Sequence, residues 1–341
     1  MALVLQDGFN RYGGDTADWG LLWTRSGSTT LSTTSPRTGT YSARCGAGAS
    51  PGYAERSLPS SYSTVTLGCA FKASGITTST EKFLCLYDGS TLHLYVEYTI
   101  TTGAIKVYRG DGTLLGTASA VIVAGTWCYF ELQATIHDST GSVTLKMDEV
   151  TVLTVTGADT RNGGNASVNK VRLENPRGTV FHYFSDLYVT DTSGANNTGF
   201  LGAVAVEFIL PSGAGNAAVW TPSTGANYAA VDEADPNGDT DYVSSSASAD
   251  KDTHAMGNLV TTAGQVKAVA AVPLVRKETG SPATFNSVVR TGGADYNGAD
   301  KSALTTSYAY YDNIWDINPG TSAAWTIAEV NALEAGYRNN S

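Results

Sequence analysis

Trp127-Cys128-Tyr129-Phe130-Glu131-Leu132-Gln133-Ala134-Thr135-Ile136 is the stretch that decides the fold. Cys128, Phe130, Leu132, Ala134 and Ile136 share one phase of a two-residue period, while Trp127 and Tyr129 fall on the other. Successive side chains of a strand point to opposite faces, so this alternation predicts a half-buried strand of an antiparallel sheet. The pattern spreads outward from there. Val65, Leu67, Cys69 and Phe71 share a phase, as do Leu92, Leu94, Val96, Tyr98 and Ile100, with His93, Tyr95, Glu97 and Thr99 opposite them. Val143, Leu145 and Met147 repeat it. Val65, Leu67, Phe71, Leu94, Val96, Phe130, Leu132 and Val143 are the expected core.

Turn chemistry separates these runs. Asp88-Gly89, Asp111-Gly112 and Ser139-Thr140-Gly141 each lie between two strand patterns, and glycine supplies the positive φ that tight hairpins need. Many short strands with no helical period predict a sandwich or jelly roll. The polar, small-residue segment 191–199 reads as a domain boundary. The expected fold class is therefore all-β: two antiparallel β-sandwich or jelly-roll domains, at 1–192 and 200–341. Strands are expected near 201–210, 217–221, 242–245, 265–276, 284–291 and 307–316. One short C-terminal helix is expected near 327–335, because Thr326-Ile327-Ala328-Glu329 is a capping box and Ile327, Val330 and Leu333 follow at helical spacing.

The composition excludes several classes of function. Charged residues make up only 15% of the 341 residues, and the net charge is −10. Phosphate binding needs clustered Lys and Arg, so no nucleic-acid partner is expected. The acidity is concentrated beyond residue 195, where 7 basic face 15 acidic side chains. No apolar run approaches the ~20 residues of a membrane span, so no membrane insertion is expected, and the N-terminus lacks the basic and apolar regions of a signal peptide. Cys45, Cys69, Cys85 and Cys128 form no C-x-x-C pair and read as buried free thiols.

Motifs that could carry chemistry are few. Gly48-Ala49-Ser50-Pro51-Gly52 matches G-x-S-x-G, but a nucleophile elbow needs a helix after it and the following residues have no helical period. His93, His137, His182 and His254 are scattered. No catalytic residue and no cofactor is expected. Asp235, Asn237, Asp239 and Asp241 alternate like the start of a calcium loop, yet the sixth position is Thr240 and the twelfth Ser246, where such loops carry Gly and Glu. A solvated acidic loop is the expected outcome. Tyr95, Trp127 and Tyr129 lie on the outward phase of their strands and are the candidate ligand-binding residues. Aromatics there suit, in this order, a protein interface, a position under covering loops, or a sugar ring.

The N-terminal half resembles the concanavalin A-like, laminin-G-like jelly rolls. The resemblance is carried by Gly125–Leu132, by Gly141–Asp148, and by Phe184-Ser185-Asp186-Leu187-Tyr188-Val189, which looks like the closing strand of that fold. Glucanases of the fold carry E-x-D-x-E or E-x-D-x-x-E on one strand. No such strand exists here; Glu233-Ala234-Asp235 comes nearest but lies in a loop. Paired catalytic carboxylates are therefore not visible.

The whole chain resembles a two-part structural protein of tailed bacteriophages. This second resemblance is carried by residues 186–191, by 220–228 with Val231-Asp232-Glu233, by 239–245 and by 324–333. It implies a non-enzymatic virion component, a tail fibre, tail appendage or head decoration, made in the host cytoplasm. Its expected partners are copies of itself, as a trimer or another cyclic oligomer, and other virion proteins. The alternative is a carbohydrate- or receptor-binding module that attaches to a host-surface glycan. A glycan-degrading enzyme whose carboxylates meet only in three dimensions is the third reading.

Overall fold

The structure is a computed structural model. It describes residues 3–46, 50–75, 80–99, 101–178, 180–278 and 283–341. The chain divides into two compact units. The first comprises residues 1–10 and 23–206, the second residues 11–22 and 207–341. The segment 191–199, expected as the join, lies within the first unit. In the structure, the first unit continues through Val206 and the second takes in the short helix Thr16–Gly20.

Among the described residues, fifteen antiparallel strands build the first unit. In chain order they are β1 (Leu3–Asp7), β2 (Thr24–Gly27), β3 (Thr29–Ser32), β4 (Ser42–Cys45), β5 (Gly52–Tyr62), β6 (Thr64–Ala73), β7 (Thr80–Asp88), β8 (Thr91–Thr99), β9 (Ala104–Arg109), β10 (Leu114–Val121), β11 (Cys128–Thr135), β12 (Gly141–Met147), β13 (Val150–Ala158), β14 (Val168–Asn175) and β15 (His182–Thr190). One sheet has the order β13-β12-β11-β6-β15-β4-β3, with β1 also paired to β15. The other has the order β10-β9-β8-β7-β14-β5-β2. The apolar phase of each sheet turns to the other, giving a sandwich. All eight expected core residues are fully buried. Phe71, Phe83 and Phe130 form the aromatic centre, with Phe71 and Phe83 stacked at 4.3 Å. Gly89 (φ 57°) and Gly112 (φ 94°) take the positive φ expected of their turns. Ile100, expected inward, lies outside the described residues.

Two bulges overturn the simple alternation. β7 and β8 slip register between Leu86 and Tyr87, so that Leu86 faces Leu94 but Tyr87 faces Leu92. The slip turns Leu92 to the outer face, against Tyr87 and Tyr95, and buries His93 completely. The sequence reading had these two the other way round. In β15 the register slips between Ser185 and Tyr188, around Asp186 at φ 52°. An extra residue in one strand reverses the phase beyond it, so Phe184 and Leu187 are both buried while Asp186 turns to Arg37 and Thr38.

The second unit is also β, but less regular. Its main sheet has the order Pro211–Ala218, Lys251–Met256, Glu334–Asn339, Phe285–Thr291, Ala294–Asn297. The remaining strands form three two-stranded ribbons rather than a second large sheet. Residues 201–210, expected as a strand, are not one. The expected strands at 265–276 and 307–316 each break into two short pieces. The C-terminal helix is present but stops at Asn331, and the chain re-enters the sheet at Glu334. Its capping box forms as the sequence demands, with the Thr326 hydroxyl accepting from the Glu329 amide and the Glu329 carboxylate accepting from the Thr326 amide. Val330 and Leu333 then pack with Trp325 and Val289 in the core of this unit. Among the described residues, no helix is long and apolar enough to cross a membrane.

Candidate functional site

Strands β5, β7, β8, β9 and β14 present one continuous face away from the sandwich core. Alternation determines what stands on it. On β14, Val171 and Leu173 are buried inward, which leaves Lys170, Arg172 and Glu174 outward. On β5, Ala54 is buried inward and Tyr53, Glu55 and Ser57 point out. The register sets Arg172 between Glu55 of β5 and Cys85 of β7, and Lys170 between Ser57 and Tyr87. It also sets Tyr95 between Cys85 and Tyr108, and Glu97 between Lys82 and Lys106.

The centre of this face is Arg172. Its Nε and Nη2 donate to Glu55 Oε2 at 2.9 and 2.7 Å, and Nη1 lies 4.0 Å from Glu174 Oε2. The guanidinium carbon stands 4.0 Å from the Tyr53 ring and 4.4 Å from the Tyr87 ring. Lys170 donates to the other oxygen of Glu55 at 3.1 Å. These four charged side chains keep 13–18% of their surface exposed, enough to meet a ligand while packing holds them fixed. Planar ion pairs and cation–π contacts both lose little entropy when a ligand arrives.

Beside Arg172, Tyr95 and Tyr108 stack at 5.2 Å with an angle of 10°, and Lys82 lies 4.3 Å over Tyr95. Burial, helped by Glu97 and Tyr108, pushes the Tyr95 phenol up to about 12. Burial and then Glu174 push the Cys85 thiol well above its usual value, so it stays a neutral thiol that donates to Glu174 at 3.4 Å. Where the face passes Lys170 it runs into an open depression of about 490 Å³ lined by Ser57, Leu58, Ser60, Ser61, Gly89, Asn169 and Lys170. The Asn169 side chain is fixed there, accepting from the Gly89 amide and donating to Asp88.

The three aromatics singled out from sequence separate. Tyr95 belongs to this face but is buried under Lys82 rather than exposed. Tyr129 lies on the opposite sheet and is also buried, its hydroxyl donating to the Asp186 carbonyl at 2.8 Å and its ring beside Tyr188. Trp127 precedes β11 and is half-buried. The outward phase was read correctly for Tyr129, but the segment after β15 packs over that sheet. Leu201 and Gly202 donate their amides to Tyr188 Oη and to buried Glu131.

Residues 53, 55, 87, 108, 170, 172 and 174 were missed. Their signal was present in Tyr53-Ala54-Glu55 and Lys170-Val171-Arg172-Leu173-Glu174, where aromatic and charged residues occupy one phase. Only strand order reveals that these distant segments are neighbours.

The acidic loop of the second unit does not bring its four candidates together. Asp239 accepts from Arg276 at 2.8 Å and from the Tyr308 hydroxyl at 2.9 Å, while Asp241 accepts from Ser223. Among the described residues no group of three His, Cys, Asp or Glu is placed to hold a metal ion. Of the G-x-S-x-G segment, Gly48 and Ala49 lie outside the described residues. Past Ser50 the chain forms strand β5, where an elbow would need a helix.

No protein-family model matches the chain, and no curated protein matches it. Among solved structures, the cellulose induced protein Cip1 is similar at 16% identity, over 56% of this chain and 100% of its own, with a TM-score of 0.42. A protein of unknown function with a galectin-like fold from Bacillus subtilis is similar at 10% identity, over 56% and 96%, with a TM-score of 0.42. A carbohydrate esterase from the Shiga toxin-encoding bacteriophage phi24B is similar at 15% identity, over 56% and 99%, with a TM-score of 0.39. Likenesses this remote carry no functional weight, which falls on the residues of the sheet face.

Proposed function

We propose that the first unit binds glycans through the outer face of its seven-stranded sheet. The observation that carries this is Arg172, held between the Tyr53 and Tyr87 rings and bonded to Glu55. A sugar offers apolar C–H faces and rows of hydroxyls that both donate and accept. Rings beside fixed guanidinium, ammonium and carboxylate groups match both features. The depression next to Lys170, lined by serine hydroxyls, the Asn169 amide and Leu58, gives room for a further sugar unit.

The binding is read as non-catalytic. Glu55 and Glu174 flank one guanidinium, the kind of carboxylate pair a glycosidase uses. Both oxygens of Glu55, however, accept from cations. Glu55 is thereby engaged in positioning two cations, the role of a binding group. A glycan array probed with the whole chain tests the proposal. Retention of at least one glycan is expected, and its loss in a folded Arg172→Ala variant. Equal retention by that variant would move the site elsewhere.

A second role, as a surface component of a tailed-phage particle assembled from several copies, is favoured by the sheet edges. β10 and β13 carry no charged residue and meet each other where the Ser119 hydroxyl donates to the Val152 carbonyl, while Leu114, Val121 and Val150 on them stay exposed. Exposed apolar side chains along such a seam suit a protein contact. Sedimentation of the purified chain and mass spectrometry of purified virions test it, and a monomer absent from particles would refute it. The two roles are compatible.

A further inference from the structure

The glycan-binding reading leaves open which chemical class of glycan the face takes, and its charge arrangement bears on that. Each cation on the face has a carboxylate beside it. Lys170 and Arg172 share Glu55, whose two oxygens they occupy from both sides. Glu174 stands on the far side of Arg172. One strand pair away, Glu97 lies in register between Lys82 and Lys106. Cations and carboxylates thus alternate across the strands, four against three, with no patch of one sign.

A uronate or sulfated chain gains affinity by meeting cations that lack a local counter-charge. Here it would have to displace Glu55 from both Lys170 and Arg172. Removing one partner of a packed ion pair is costly. A neutral sugar faces no such penalty. Its hydroxyls can accept from the ammonium and guanidinium N–H groups and donate to carboxylate oxygens without separating the pairs. The Tyr53 and Tyr108 rings, both half-buried, give its C–H faces a surface to lie on.

Resting on the glycan-binding reading, we infer that this face selects neutral hexose glycans and rejects acidic ones, with Glu55 as the residue that enforces the choice. Glu55 acts by occupying the two cations that an acidic sugar would need. The site is therefore built against one ligand class as well as for another.

Calorimetric titration of the full chain tests the inference, using cello-, manno- and galacto-hexaose as neutral probes and a galacturonate hexamer as the acidic one. Each is run at about 20 mM and about 500 mM salt, where the screening length differs several-fold. At least one neutral hexamer is expected to bind with less than about a twofold change between the two salts, while the galacturonate hexamer gives no heat. Glu55→Gln, with its fold checked by circular dichroism, is expected to bind the galacturonate hexamer at low salt and lose it at high salt. Salt-sensitive galacturonate binding by the unaltered chain would overturn the inference and leave the glycan reading standing. So would a folded Glu55→Gln that still ignores galacturonate while binding a neutral hexamer. Failure of every hexamer and of the glycan array would bring down the glycan reading itself.

Discussion

The phenol of Tyr98 donates to Nε2 of His182 across 3.0 Å, joining the two sheets through the middle of the sandwich. Tyr98 is on β8 of one sheet and His182 on β15 of the other. The second imidazole nitrogen, Nδ1, lies 2.8 Å from the Glu174 carbonyl. A carbonyl only accepts, so Nδ1 carries the proton and Nε2 is the acceptor. Neutral His182 is thus fully satisfied, and a second proton would force the Tyr98 hydroxyl to turn its own proton away, inside a fully buried site that disfavours charge.

That geometry predicts acid lability. Burial pushes the His182 pKa down to about 4 from its ordinary 6.5. Between those values the unfolded chain binds the proton and the folded one does not, so stability falls as pH drops from 6.5 toward 4. The shift corresponds to about 3 kcal/mol. His93 and His254, also lowered by burial, act in the same direction. Urea melts at intervals across this range should show the fall, and His182→Gln should flatten part of it at lower stability throughout. An unaltered slope in that variant would remove His182 from the account.

Phe130 is completely buried, 5.0 Å from Phe83 and 6.2 Å from Phe71. Truncating it opens a cavity in a close-packed core. Phe130→Ala should cost ~3–5 kcal/mol, read from the shift in the urea midpoint. A cost under about 1 kcal/mol would mean the ring is not in the core.

Gly68 lies under Tyr188, and a Cβ there would overlap the Tyr188 ring. The ring cannot withdraw freely, because its hydroxyl donates to Glu131 and accepts from the Leu201 amide. Gly68→Ala should destabilise by ~1–3 kcal/mol and speed amide exchange at 201 and 202. Unchanged exchange there would show that Tyr188 does not anchor that segment.

The capping box of the C-terminal helix gives a local prediction. Thr326→Ala removes the acceptor for the Glu329 amide and should cost about 1 kcal/mol. The Glu329 carboxyl, held low by its bond to the Thr326 backbone, contributes stability above its unfolded pKa that is lost as pH falls below it. Chemical denaturation of the variant at neutral pH is the measurement, and a loss below about 0.3 kcal/mol would dismiss the cap.

The residues around Phe130 show what the sequence by itself determined. Period-two alternation is local chemistry: each residue alone decides whether it prefers core or water, and the strand places it. Hence the all-β class, the buried phase of β6, β11 and β12 and the capping box at Thr326 were all readable from the chain. Three things were not. Bulges at Leu92 and Asp186 reverse the phase because one extra residue is inserted, and an inserted residue looks like any other in a list of letters. Tyr129 kept its outward phase yet became buried, because a segment more than sixty residues away folds over it. The proposed binding face needed most. Glu55, Tyr87, Tyr95 and Arg172 sit on four strands, and only the order β8-β7-β14-β5 makes them neighbours. Strand order is fixed by which edges satisfy one another's backbone groups across the whole sandwich, a global balance that no window of sequence contains.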